Sequence, residues 1–321
     1  MRGAVIADPP GRPVRVGLDV GGTKIDAVAV SHDGEILARL RRPTGWGDDA
    51  VIDSIVDAVE TLASDLDAAA ASFASAGVGI PGLVDADSGR VLHAVNLGVE
   101  SLDLADRASA RLGIPFRVEN DVKSAALGAA VMQGVEGSMA YLNLGTGVAA
   151  GMVVDGRIWR GSRGTAGEVG HLSVDPRGRL CGCGQRGCVE TFCGGGALAK
   201  AWGRPGALPV RDILDAAEAG DEDAAALRAD LFHGAAAAVR ILVLSADVDR
   251  VVIGGGLTAL GDRLDHGIRA ALRAGAEASA FMRSLHLDER IELLPAGSPA
   301  AAFGAALVGA SVPSKEIVSH G

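Results

Sequence analysis

One device occurs twice in this chain of 321 residues: an apolar run, a tight glycine turn, and a second apolar run. In the first half, residues 14–20 and 24–30 read as strands joined only by Gly21-Gly22-Thr23. In the second half, residues 139–144 and 149–154 flank Gly145-Thr146-Gly147, and Asp155-Gly156 gives a hairpin turn into 157–159. Around this device the pattern predicts a strand at 35–41, a helix near 49–62, a strand at 76–80, and helix across 209–246. A short strand at 251–253 ends in Gly254-Gly255-Gly256, and small residues near 300–309 suit a closing helix. The repetition predicts a duplicated α/β architecture of two lobes with a cleft between them. We expect a loose leader at 1–13, a small N-terminal lobe at 14–122 completed by a helix near 300–312, a large lobe at 123–299, and a frayed tail at 313–321.

Composition narrows the function. Hydrophobic residues make up 48% but aromatics only 3%, so the core must be mostly Ala, Val and Leu. The 46 glycines cluster beside apolar runs, which suits turns around a ligand better than a flexible linker. A net charge of −10 with no basic stripe argues against a nucleic-acid partner. No apolar run reaches membrane-spanning length on this reading, and the leader lacks a signal-peptide core, so a cytoplasmic protein without a membrane partner is expected.

Leu18-Asp19-Val20-Gly21-Gly22-Thr23-Lys24 places an acid at a strand end, then bare backbone, a hydroxyl and a lysine. Amide N–H groups there can close on phosphate oxygens, with Thr23 as a further donor. Asp19 suits Mg²⁺, which prefers oxygen ligands and keeps its water. An ordinary hairpin turn with a solvated lysine explains the same string. A strand, not a helix, comes next in the chain, so this is not a Walker A loop. Gly145-Thr146-Gly147 reads the same two ways, and Gly254-Gly255-Gly256 suits close approach of a nucleotide. Gly77-Val78-Gly79-Ile80-Pro81-Gly82 matches the dinucleotide fingerprint only formally, because Pro81 and the stretch from Leu83 to Asp87 open no helix.

Cys181-Gly182-Cys183, with Cys188 after four more residues, reads as a metal knuckle. Three thiolates leave one place in a tetrahedral zinc site, and His171, ten residues before Cys181, is the natural fourth ligand. Cys193 falls outside the cluster and reads as a small core residue. Glu168 and Glu190 bracket the knuckle, and carboxylates near a metal-fixed histidine suit sugar hydroxyls; surface acids beside a structural knuckle are the plainer account. In Glu119-Asn120-Asp121, Asp121 stands at a strand–helix junction. Alone it reads best as a helix N-cap; its functional reading is a general base, with Asn120 beside it for hydroxyl contacts.

Taken together, these motifs resemble the ROK family of sugar kinases from Val14 to about Gly309. The carriers are Asp19-Val20-Gly21-Gly22-Thr23-Lys24, Glu119-Asn120-Asp121, Gly145-Thr146-Gly147, Glu168-Val169-Gly170-His171, and Cys181 to Glu190 with its spaced cysteines. The resemblance implies the actin-like, hexokinase-like ATPase fold, with ribonuclease-H-like lobes about a central cleft. It implies ATP-dependent phosphorylation of the 6-hydroxyl of a glucose-like hexose, with Asp121 as the base. Asn120, Glu168, His171 and Glu190 would hold ring hydroxyls, with Gly82 and Asn96 lining the pocket. His171, Cys181, Cys183 and Cys188 would bind a structural Zn²⁺. The loops at Gly21 to Thr23 and Gly145 to Gly147 would hold phosphates, Gly254 to Gly256 would border the adenosine, and Mg²⁺ would accompany the ATP. A homodimer or higher homo-oligomer is also implied. Family repressors usually carry a helix-turn-helix module before the kinase-like region; with a first strand read near Val14, no such module is expected here. The pattern is broken at Ala149-Ala150, at Gly98-Val99-Glu100 and at Gly194, where serine is common. Those departures bear on which sugar is used: glucose first, an amino or N-acetylamino hexose (N-acetylglucosamine, N-acetylmannosamine, kanosamine) second, and a non-catalytic sugar sensor third. Polyphosphate is an alternative donor.

Overall fold

The computed structural model describes residues 13–310, so the expected tail and all but the last residue of the expected leader lie outside the described residues. The described chain forms two compact units. One runs through Gly128 and resumes at Pro299; the other is Ala129–Ser298.

The first unit is built on β1 (Arg15–Val20), β2 (Lys24–Val30), β3 (Ile36–Pro43) and β4 (Ser75–Ile80), with helix α1 (Asp48–Asp65) between β3 and β4. A small sheet of β5 (Leu83–Asp85), β6 (Arg90–Ala94) and β7 (Val99–Asp103) comes next, then α2 (Leu104–Leu112), β8 (Phe116–Asn120) and α3 (Asp121–Met132). The second unit contains β9 (Ser138–Leu144), β10 (Val148–Val154), β11 (Arg157–Ile158), α4 (Val189–Cys193), α5 (Gly195–Trp202), α6 (Pro209–Glu218) and α7 (Glu222–Ala246). It ends with β12 (Arg250–Gly254), α8 (Asp262–Ala276), α9 (Ala280–Ser284) and β13 (Ile291–Leu293). Helix α10 (Ala300–Ala310) returns to the first unit.

The two five-stranded sheets have the same plan. Their orders are β3-β2-β1-β4-β8 and β11-β10-β9-β12-β13. In each, the opening strand pairs antiparallel with the next one across the glycine turn and parallel with a later one. The duplication read from the sequence is therefore a duplication of topology. Parallel strands buried on both faces need apolar side chains throughout; Val16, Leu18, Val78 and Ile80 in one sheet and Leu142, Val252 and Ile253 in the other are nearly inaccessible.

Helix α10 lies directly on the backbone of β1 and β4. A Cβ on Gly17 would come within 1.9 Å of the Ala302 carbonyl oxygen, and one on Gly77 within 1.8 Å of that of Ala305. The same packing bears on where the first unit ends, which was expected near residue 122. A Cβ on Gly128 would sit 1.9 Å from the Ala300 carbonyl, so the first part of α3 stays with α10 and the division falls after Gly128.

The expected continuous helix at 209–246 is two helices. Asp221 caps the second, accepting from the Ala224 N–H at 3.0 Å, and Pro209 opens the first. One expectation fails. Glu222–Ala246 is long and apolar enough, by length and composition, to cross a membrane. Much of it is covered by its own unit, where Leu227, Leu231, Ala235, Val239 and Leu242 are buried in the core.

Candidate active site

In the first unit, the candidate residues collect at one edge of the sheet because β1, β4 and β8 are parallel. Asp19 pairs in register with Gly79, and Gly79 with Glu119, so Asn120 and Asp121 lie one step beyond the same row. This is the carboxyl edge, where open α/β sheets bind ligands. Asn120 accepts from the N–H groups of Val122 and Lys123 at 3.1 and 3.2 Å. The helix-capping role that Asp121 alone suggested thus falls to Asn120, and Asp121 occupies the first turn of α3. Its Oδ1 accepts from the Val122 N–H at 2.9 Å, which fixes the carboxylate.

Asp19 is close enough to Asp121 for the two to interact. Its carboxyl is raised to about 7, first by burial, then by the negative charges of Asp121 and Asp26, with Lys24 and Arg41 opposing. That surplus of negative charge suits a cation, so Asp19 fits the expected role of holding Mg²⁺. The adjoining turn is closed by the Gly21 N–H on the Lys24 carbonyl at 2.9 Å and braced by the Thr44 N–H on the Thr23 carbonyl at 3.2 Å. Gly22 packs against the Asn96 backbone, where a Cβ would meet the carbonyl oxygen at 2.9 Å. Gly82, with φ of +103°, turns the chain after β4, and a Cβ there would lie 2.7 Å from the Leu92 carbonyl. Thr23, Lys24 and Asn96 are exposed.

Sequence reasoning passed over Asp26, a buried carboxylate in an otherwise apolar strand. It pairs with Asp19 across β1 and β2 and accepts from Arg39 at 2.6 and 2.8 Å and from Arg41 at 2.8 Å. Burial would raise its carboxyl, but the two guanidinium groups outweigh that and hold it below the usual range. The signal was available: an acid inside an apolar strand needs a cationic partner.

In the second unit, the Gly145 N–H donates to the Gly147 carbonyl at 3.1 Å, closing the second glycine turn. The Glu190 Oε2 accepts the Val148 N–H at 3.0 Å directly after it. Gly254 ends β12 beside Asn143 of β9, so both glycine loops of this unit lie at one sheet edge. Gly255, with φ of +90°, packs on the Leu144 carbonyl, where a Cβ would come within 2.5 Å; Gly256 has open space. Sequence reasoning also missed Gly194-Gly195-Gly196. The Gly195 and Gly196 N–H groups donate to the carbonyls of Gly145 and Thr146 at 2.8 and 2.9 Å.

His171, Cys181, Cys183 and Cys188 come together with all four ligand atoms within 4.8 Å of one another. Cys181 Sγ lies 3.8 Å from His171 Nδ1, and Cys183 Sγ lies 3.7 Å from Cys188 Sγ. A tetrahedron with zinc–sulfur bonds of about 2.3 Å has edges of about 3.8 Å, so the donor set and its spacing fit zinc. Hydrogen bonds from the Gln185 backbone and side chain lower the Cys183 thiol, whereas burial raises that of Cys188, so the fit to zinc rests on the donor set and its spacing. Cys193 is fully buried, as expected of a core residue, and burial pushes its thiol up. A short turn, Val169–His171, carries Glu168 and His171 at its two ends; Glu168 is exposed and Glu190 partly so.

The family model described as "ROK family" matches residues 15–310. The chain belongs to the ROK family. It is 32% identical over 270 residues to a glucokinase from Halalkalibacterium halodurans, covering 78% of this chain and 82% of that protein. An N-acetylmannosamine kinase from Citrobacter koseri is 33% identical over 245 residues, covering 74% and 81%. The crystal structure of a ROK family glucokinase from Streptomyces griseus, in complex with glucose and AMPPNP, superimposes with a TM-score of 0.76 at 28% identity, covering 92% of this chain and 99% of that one. The fold is thus that of the ROK hexokinases, the actin-like plan of two duplicated units.

Proposed function

We propose that this ROK sugar kinase transfers the γ-phosphoryl group of ATP to the 6-hydroxyl of a glucose-like hexose. The observation that carries the reading is Asp121, fixed by the Val122 N–H at the end of β8 and electrostatically coupled to Asp19 beside the first glycine turn. A base and a phosphate loop at one sheet edge are what phosphoryl transfer to a hydroxyl needs.

In this reading the Asp121 carboxylate takes the proton of the 6-hydroxyl while its oxygen bonds to the γ-phosphorus. The bond from that phosphorus to the β,γ-bridging oxygen breaks, and ADP leaves. Asn120, Glu168, His171 and Glu190 hold ring hydroxyls, with Gly82 and Asn96 at the pocket lining. Gly21 to Thr23, Lys24 and Gly145 to Gly147 hold phosphates, and Gly254 to Gly256 border the adenosine. Bare backbone in these loops brings N–H donors close to anionic oxygens. Asp19 holds Mg²⁺, which when bound neutralises phosphate charge. His171, Cys181, Cys183 and Cys188 hold zinc; with four protein ligands, its part is structural. His171 turns Nδ1 toward the sulfurs, which leaves the opposite ring nitrogen for a hydroxyl.

An amino or N-acetylamino hexose is the second reading, supported by the comparable identity to the N-acetylmannosamine kinase. ADP release measured across a hexose panel with MgATP separates the two. The expected result is the highest kcat/KM for glucose. A preference for a 2- or 3-amino hexose moves the assignment to the second reading, and no turnover with any sugar or donor overturns the kinase.

A further inference from the structure

The metal knuckle and the second glycine loop are joined by more than sequence proximity. Residues 145–150 are gripped from both sides by the segments that enter and leave the knuckle. On the entry side, the Ala150 N–H donates to the Gly167 carbonyl at 2.7 Å, and a Cβ on Gly170 would come within 1.9 Å of the Val148 carbonyl oxygen. The next residue is His171. On the exit side, Cys188 immediately precedes α4, whose first turn sends the Glu190 carboxylate to the Val148 N–H at 3.0 Å. Gly194 caps the end of that helix, and the N–H groups of Gly195 and Gly196 then donate to the Gly145 and Thr146 carbonyls. A Cβ on Gly194 would meet the Glu190 carbonyl oxygen of its own segment at 2.7 Å and the Thr146 carbonyl of the loop at 3.2 Å, so the bare backbone here lets the end of α4 lie close against the loop.

We propose that the His/Cys3 site acts as a brace for the nucleotide-binding loop, and that Glu190 is the positioning residue that transmits it. This inference rests on the reading of Gly145 to Gly147 as a phosphate loop. The sugar role of Glu190 concerns its carboxylate as a hydroxyl partner. The positioning role concerns the loop's shape before any sugar binds. The Gly145 and Thr146 carbonyls are engaged by Gly195 and Gly196, the Gly145 N–H closes the turn on the Gly147 carbonyl, and the Val148 N–H is taken by Glu190, which leaves the N–H groups of Thr146 and Gly147 to be presented in one fixed arrangement. A metal joining His171 to Cys188 locks the two gripping segments to each other. They also share the Val189 N–H on the Leu172 carbonyl at 3.0 Å and the Val174 N–H on the Gly187 carbonyl at 2.8 Å. The expected effect of metal loss is therefore a looser loop with the unit still folded.

The test measures affinity for the β,γ-imido analogue of ATP with Mg²⁺, in the absence of sugar, by calorimetry. Four samples are compared: zinc-loaded protein, zinc-stripped protein returned to Mg²⁺ buffer, and the variants Glu190→Gln and Glu190→Leu. Glutamine keeps an oxygen for the Val148 N–H; leucine does not. Zinc removal is expected to raise Kd about tenfold and to speed amide exchange at Val148, Gly195 and Gly196, with exchange in β1 unchanged. Glu190→Leu is expected to raise Kd about five- to tenfold, and Glu190→Gln less than twofold. If stripping unfolds the protein, the Gln and Leu pair alone decides. Equal nucleotide affinity in all folded samples overturns the positioning role while leaving the kinase reading intact. No nucleotide binding by the zinc-loaded protein overturns both.

Discussion

The two glycine turns occupy matching places in two sheets of the same topology, yet they are held in different ways. The first closes on itself, Gly21 to Lys24, and leans on Thr44 by a hydrogen bond and on the Asn96 backbone by packing alone. Ionisable groups surround it: Asp19, Lys24, Asp26 and Arg41. The second, Gly145 to Gly147, has no charged residue of its own and is held by chain some fifty residues later, at Glu190, Gly195 and Gly196. Duplication has kept the backbone device and divided the labour. In the proposed reading one copy supplies charge for the chemistry, and the other supplies shape that a metal knuckle sets.

The largest effect should come from the charged side. Asp121→Asn keeps the size and the Val122 N–H contact but removes the proposed base, so kcat should fall about 10³-fold with the KM for ATP changed less than threefold. Turnover within tenfold of wild type would mean that proton removal does not depend on this side chain.

A smaller effect is expected on the shape side. Gly194→Ala places a methyl 2.7 Å from the Glu190 carbonyl, and should raise the Kd for the ATP analogue about three- to tenfold, at a stability cost of about 1–3 kcal/mol. Gly182→Ala, inside the knuckle but facing open space, should change neither. Equal effects of the two would mean that the close contact of Gly194 with the loop does not set its shape.

The smallest is a stability effect with a sign that depends on pH. Asp19 keeps its proton to about 7 in the folded, magnesium-free protein, against 3.8 as its ordinary value. The folded state therefore binds more protons than the unfolded state across that window, and its stability from this group is lost as pH rises through 7. Asp19→Asn should raise Tm at pH 8 by about 2–5 °C in magnesium-free buffer, with the gain shrinking as pH falls toward 4. A gain independent of pH would show that the surrounding carboxylates do not disfavour the charged form.

Much of the scaffold was legible because it is local. Strand–turn–strand at Val16 to Val30 and at Met139 to Val154 can be read from apolar runs and glycines, and the His171 and cysteine set from spacing alone. The three-stranded sheet of Leu83–Asp85, Arg90–Ala94 and Val99–Asp103 was missed, as was the helix Leu104–Leu112. Those strands are short, and residues such as Asp85, Arg90, His93 and Glu100 leave too little alternation to register. Asp121 was recognised, but its capping role was misplaced, since whether Asn120 or Asp121 caps depends on one residue of helix phase. The brace on the second loop was invisible for a deeper reason. Val148 and Glu190 are 42 residues apart, and nothing in either neighbourhood announces that their backbone and carboxylate will meet.

Helix α10 carries a consequence for how the molecule is made. The first unit's central strands, β1 and β4, are packed against residues 300–310, while Ala129–Ser298 is continuous in the chain. During synthesis the second unit can complete its core as it emerges. The first has to wait with Gly17 and Gly77 uncovered until residues 300–310 have been made. A stop codon that removes α10 would leave two buried strands with one face exposed, the kind of surface quality-control proteases and chaperones detect, even though every residue assigned to chemistry had already been translated.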